Sequence, residues 1–286
     1  MSNNGSPAPN PISSQVSQST VKLYVHAFWG LMLRDFRVLR RELGPFVVRV
    51  IMNPLLFLFV FTYLFPRIGQ SFGSTAGGAT MNFGTVLLPG LIAVAIMFTG
   101  IAAVALPLST EFGITREIDD RVMCPLPVAG VAMEKICFSA LQCIFSAAIV
   151  FPLAYFIPSE PVLVQVSNGW LLISVVILSS LVSGALGLTI GTTVEPRQIG
   201  LIFSVVVVPI TFLGCVYYPW SLLHAVPWLQ YAVLLNPIVY MSEGLRAALT
   251  PALPHMPAWL ILGALVLSVL ILGWAGIRGF RRRVIG

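Results

Sequence analysis

Along this chain apolar and polar positions come in blocks. Six apolar stretches follow a polar opening: Phe46–Phe65, Phe83–Ser109, Ile136–Ile157, Gly169–Thr192, Ile199–Tyr218 and Ala258–Ile277. Each has the roughly 20 residues that an α-helix needs to cross a hydrocarbon layer about 30 Å thick. In lipid the backbone must satisfy its own hydrogen bonds, which a helix does. The pattern therefore predicts an all-α integral membrane protein with six transmembrane helices. Arg49 is the one charged residue inside the six stretches. It stands one turn from an end, where its head can reach the polar boundary.

The polar opening divides in two. Residues 1–20 are mostly Ser, Asn, Gln and Pro with few apolar residues, a composition that predicts a disordered tail and lacks the basic start and apolar run of a signal peptide. From Val21 to Leu43 the periodicity is helical. Met32, Phe36, Leu39 and Leu43 recur on one face, and Arg34, Arg37 and Arg41 on the opposite one. Such a helix is expected to lie in the membrane interface with its arginines toward phosphate headgroups. Residues 21–286 then form one transmembrane domain.

Basic residues orient the spans. Lys22, Arg34, Arg37, Arg40, Arg41, Arg49, Arg116, Arg121, Lys135, Arg197, Arg278, Arg281, Arg282 and Arg283 fall on one side, against Arg67 and Arg246 on the other. That asymmetry places the first side, with both termini, in the cytoplasm. Pro219–Pro257 could upset the count if it crossed the membrane. Its apolar pieces are short and broken by prolines, so it is expected to form short re-entrant helices in the outer leaflet between spans five and six. Asn236 followed by Pro237 reads as a helix start, with a capping side chain and then proline at the first helical position. Tyr217, Tyr218, Trp220, Trp228, Tyr231, Tyr240 and Trp259 suit the outer boundary.

Composition agrees: 57% of residues are hydrophobic and 9% charged, against about 25% charged in ordinary soluble domains. A net charge of +6 would suit nucleic acid in a soluble protein; beside membrane spans it reads as topology, and no nucleic-acid partner is expected. Cys124, Cys137, Cys143 and Cys215 lack CxxC spacing, and His26, His224 and His255 are scattered, so no metal site and no cofactor is expected on this chain. There is no GxSxG, HExxH or GxxxxGK[ST], hence no catalytic set and no ATP site. The spans hold no Asp or Glu to carry a coupling ion. Gln142, in the third span, is read as an interhelical hydrogen-bonding residue, with substrate contact as the alternative.

The richest polar stretch is the cytoplasmic connection between spans two and three. Glu111, Arg116, Glu117, Asp119, Asp120 and Arg121 interleave their charges, with Ile114, Ile118 and Val122 at four-residue spacing. This pattern fits a short helix docking on a soluble partner, with a solvated loop as the alternative. Glu243 and Arg246, three apart, can pair on the helix that starts at Asn236-Pro237. Either a solvated pair, worth under about 1 kcal/mol, or a buried pair closing an outer gate is open to them.

The connection resembles that of the type-2 permeases of ABC transporters, a family of drug, lipid and polysaccharide exporters. Asp120-Arg121, Pro125 and Glu134-Lys135 match its acidic-arginine pair, proline and returning helix. LLPGLIAVAIMFTG, from Leu87 to Gly100, is similar to the family's Pro-Gly-opened second span. The most distinctive segment is Phe212–Leu249, with aromatics and proline ending a span, then Asn236-Pro237, then Glu243 and Leu245-Arg246. Two positions depart from the pattern: Glu117-Ile118 stands where a Gly-Thr or Gly-Ser is common, and Glu134 replaces a frequent glycine. The resemblance implies a permease in the cytoplasmic membrane of a bacterium, paired with a second copy. Each copy would sit on a cytoplasmic ABC ATPase, which binds ATP and Mg, through the Glu111–Arg121 connection. It also implies export of an amphiphile, nearer the drug and lipid branch. The rival classes are a secondary carrier and a membrane enzyme or assembly factor on a similar scaffold.

Overall fold

A computed structural model describes residues 11–64, 67–68, 74–76, 79–81, 83–115, 126–157, 164–166 and 168–285. The main helices are α1 (Pro11–Arg41), α2 (Leu43–Leu58), α3 (Phe83–Thr110), α4 (Val128–Phe156) and α5 (Gly169–Thr193). After them come α6 (Ile199–Phe212), α7 (Pro227–Ala232), α8 (Pro237–Leu249) and α9 (Ala258–Ile285). Wider π turns extend α2 over Phe59–Leu64 and α3 over Glu111–Thr115. Two three-residue strands, Ser74–Ala76 and Ala79–Met81, pair antiparallel between α2 and α3.

Among the described residues, five helices are long and apolar enough to cross a membrane: Leu43–Leu64, Gly84–Gly113, Val128–Leu153, Gly169–Thr193 and Ala258–Val284. The fifth apolar stretch, expected over Ile199–Tyr218, is shorter. Its helix stops at Phe212, because Gly214 and Cys215 turn the chain and Cys215 takes φ 52°, in the left-handed region that ends helices. At 1.5 Å per residue, α6 is about 20 Å long. The fourth element, α4, starts at Val128 rather than Ile136 and so takes Glu134 and Lys135 into the helix.

α3 is the hub, with 78% of its apolar window buried inside the chain against 17% for α9. Helices in lipid gain little from burying apolar side chains against each other, so close contact requires small residues. Gly187 of α5 provides one such contact. A Cβ there would stand 3.0 Å from the Gly100 carbonyl oxygen of α3. α4 is stitched to α3 by hydroxyl and thiol donors spaced along one face. Ser139 donates to the Gly100 carbonyl at 3.1 Å, Cys143 to Ile96 at 3.2 Å and Ser146 to Ala95 at 3.3 Å. Gln142 takes no part in this seam.

The amphipathic helix is longer than expected. It begins at Pro11, so residues 11–20 are helical where the sequence predicted disorder; residues 1–10 lie outside the described residues. Proline suits a first helical position, and no further Gly or Pro interrupts the chain before Gly30. Leu31 is buried, with Ala27 and Phe28 packed beside it, while Phe36 and Leu43 of the apolar face read from the sequence are about half exposed. The helix thus has two apolar sides, one against the protein and one outward.

Candidate functional site

α3 runs from Gly90 near one end to Glu111 at the other, a rise of about 30 Å, and a polar cluster stands at each end. At the Glu111 end, Lys135 of α4 donates to Glu111 at 2.9 Å, and both side chains are about 5% exposed. These two residues flank the connection on either side, so its two ends are clamped together. Next to Glu111, Phe112 packs against Phe280 of α9 with ring centroids 6.1 Å apart. The Arg283 guanidinium lies over the Phe112 ring at 4.7 Å. Its Nη1 also donates to the Gly191, Thr192 and Val194 carbonyls at 3.2, 3.1 and 2.9 Å. Helix ends leave carbonyls without partners, and a cation there also favours the helix dipole. One arginine therefore joins the end of α5, the end of α9 and the start of the connection.

At the opposite end lies the Glu243–Arg246 pair. It is no solvated surface pair, since Arg246 is 0% and Glu243 1% exposed. Arg246 Nη1 pairs with Glu243 Oε1, and Nη2 donates to the Cys215 carbonyl at 3.2 Å. Glu243 Oε1 also accepts from the Trp220 backbone N–H at 3.0 Å, and Oε2 from that of Met256 at 3.1 Å. Buried charges are stabilised by pairing and hydrogen bonds, and here the turns on both sides of α8 supply partners for both carboxylate oxygens and for Arg246 Nη2, while Arg246 Nε has none. Ser242 donates to the Gly214 carbonyl at 2.8 Å. Asn236 caps α8 by accepting from Ile238 N–H at 3.1 Å and holds α6 by donating to the Ile210 carbonyl at 2.6 Å. Gly90 lets this assembly sit on α3: a Cβ there would come within 2.0 Å of the Val216 carbonyl oxygen.

The sequence-derived residues sort accordingly. Glu243 and Arg246 share one network, Asn236 and Pro237 start the helix that carries them, and Glu111 is buried at the far end. Arg116, Glu117, Asp119, Asp120 and Arg121 lie outside the described residues. Arg34, Arg37 and Arg41 are exposed on α1. Sequence reasoning missed the partners that are backbone groups, Cys215, Trp220 and Met256, which carry no residue-type signal. It also missed Arg283, one of four arginines near the terminus with nothing to set it apart. Among the described residues no three His, Cys, Asp or Glu side chains are placed to hold a metal ion, and Cys137, Cys143 and Cys215 are free thiols.

Residues 26–250 match the family model of the ABC-2 type transporter membrane domain. The chain belongs to the ABC-2 type transporter family. It is thus a membrane permease of an ABC transporter, and the clamped connection and the buried pair both lie within or border the matched region. Over 231 residues it is 26% identical to the inner membrane transport permease YadH of Escherichia coli strain K12, covering 78% of this chain and 84% of the relative. The YadH proteins of E. coli O157:H7 and Shigella flexneri match to the same extent.

Proposed function

We propose that this chain is the membrane subunit of an ATP-driven exporter that moves an amphiphile, a drug, lipid or lipid-linked glycan, out of the bacterial cytoplasm. A separate ABC ATPase binds ATP and Mg and docks on the connection that begins at Glu111. Two permease copies form the path. The short α6 counts as a sixth span, continued by the turn that follows it, which leaves both termini in the cytoplasm of an inner-membrane protein. Exposed aromatics support this placement: Trp170, Trp228, Tyr231 and Trp259, each at least 70% exposed, belong to the end opposite Glu111, as an outer interfacial belt would. On this reading α7 and α8 sit at the level of the outer leaflet.

The observation that carries the coupling role is the Glu111–Lys135 ion pair. A connection clamped at both ends to α3 and α4 passes a push on it to the hub of the bundle, whereas an unclamped one absorbs it. The test replaces Asp119, Asp120 and Arg121 together with alanine. Membrane insertion is expected to stay normal while capture of the ATPase falls at least thirtyfold, roughly the loss expected for buried interface charges. Unchanged capture would refute docking through this connection. In the unmodified protein, export is expected to continue when the proton gradient is collapsed at constant ATP. Export that stops would favour a secondary carrier.

A further inference from the structure

A cavity of about 750 Å³ lies between α1, α2, α3 and α4 on the Glu111 side of the bundle, within the size range of ligand pockets. Gln142 of α4 lines it. The side chain is 6% exposed, yet among the described residues it has no hydrogen-bond partner, because Ser139, Cys143 and Ser146 already make the bonds from α4 to α3. Its amide is not among the sealed polar atoms that lack a partner, so it opens onto the cavity and is free to meet a polar group that enters. Across from it stands a second feature. Pro107 of α3 has no N–H to give the carbonyl of Ala103, four residues earlier, and both residues line the same cavity. One wall therefore offers an amide that donates and accepts, and the other the Ala103 carbonyl, which loses its ordinary α-helical donor at Pro107. A hydroxyl or amide group satisfies both; a fully ionised phosphate ester does not, since it has no donor for the carbonyl.

Charge narrows the class further. Arg34, Arg49 and Lys135 line the cavity together with Asp35, Glu42 and Glu111, so the lining carries as many anions as cations. A ligand with net charge gains little there. Gln142 is seven residues along α4 from Lys135, about 10 Å deeper into the bundle. The polar group it meets thus lies well inside the charged rim, between apolar walls such as Leu106 and Phe138. We propose that this cavity binds the polar group of an uncharged, hydroxyl- or amide-bearing amphiphile drawn from the membrane leaflet at the Glu111 end. As a station for cargo it rests on the exporter reading; as a binding site it stands without it.

The test uses the full-length permease in phosphatidylcholine nanodiscs with two diazirine-bearing probes of equal chain length, a glucosyl diacylglycerol and phosphatidic acid. The glucosyl probe is expected to label the peptide around residues 138–146 at least fivefold more than phosphatidic acid does. Gln142→Leu is expected to lower that labelling five- to tenfold, the worth of a hydrogen bond or two between groups in a membrane. Leu106→Trp, which fills the cavity from the facing helix without touching Gln142, is expected to do the same. Equal labelling by the two probes, or labelling unchanged in both variants, would overturn the proposal. Adding the ATPase with ATP tells the source: a probe chased from the site is cargo, a retained one is a resident lipid, and either outcome supports the site. If the ATPase fails to bind the permease at all, the exporter reading fails and the labelling result still stands.

Discussion

Arg246 donates through Nη2 to the backbone carbonyl of Cys215 at 3.2 Å, and Cys215 is the described non-glycine residue with positive φ. A fully buried guanidinium thus holds the left-handed turn that ends α6, and the same side chain is bound to Glu243. The charge pair and the unusual backbone conformation support each other, and neither is expected to survive loss of the other.

The network decides how charge changes at this pair behave. If pairing were all, exchanging the charges with Glu243→Arg and Arg246→Glu would restore what either single change removes. Glu243 also accepts from the Trp220 and Met256 N–H groups, and an arginine at 243 accepts nothing. The double exchange is expected to be as unstable as the singles, each losing about 3–5 kcal/mol as for other broken buried pairs. Thermal unfolding in detergent measures this, and recovery in the double variant would show that the backbone bonds are unimportant.

Gly90 is expected to tolerate no side chain. Alanine there forces its Cβ against the Val216 carbonyl, with an overpacking cost of about 1–3 kcal/mol. The turn should be displaced, so the buried thiol of Cys215 is expected to react with a maleimide faster in Gly90→Ala than in the parent. Unchanged reactivity at 215 would mean that α3 shifts instead of the turn.

Arg283 is expected to differ from its neighbours. Arg281 and Arg282 are exposed, and Gln at either should alter stability little. Arg283→Gln removes three bonds from one charged group to the end of α5 and is expected to cost about 2 kcal/mol. Comparing the three melting temperatures checks this, and equal effects would show that the terminal arginines act only through their summed charge.

Single cysteines test the orientation. In a variant without native cysteines, one at Ser74 is expected to react with an impermeant thiol reagent added outside the inner membrane, and one at Arg282 is not. Labelling at 282 would add or remove a crossing and invert α9.

Hydropathy located the long helices because lipid imposes that pattern directly, but it misplaced their ends wherever polar residues are buried. α4 begins eight residues before its apolar stretch because Lys135, charged in the sequence, is neutralised by Glu111 in the fold. α6 ends six residues early because a left-handed residue at Cys215 has no signature when it is not glycine. Periodicity showed α1 to be amphipathic, with Phe36 and Leu43 on an outward apolar side, but not the second apolar side at Leu31 that meets the protein. Asn236-Pro237 was legible because capping is local chemistry, and Glu243 and Arg246 were legible as a pair. Their burial was not, since it depends on turns 23 residues before Glu243 and 13 after it.

The Met256 N–H that completes Glu243 has a consequence for how the chain is made. While the ribosome has delivered α8 but not the segment leading into α9, Glu243 lacks one of its three donors at a position that the finished fold buries. The stretch from α6 to α9 must therefore leave the insertion machinery together, as one folded hairpin and not helix by helix. A nascent chain stalled with Pro254 as its last emerged residue should be cut by protease near Trp220, and one extended past Val284 should be resistant.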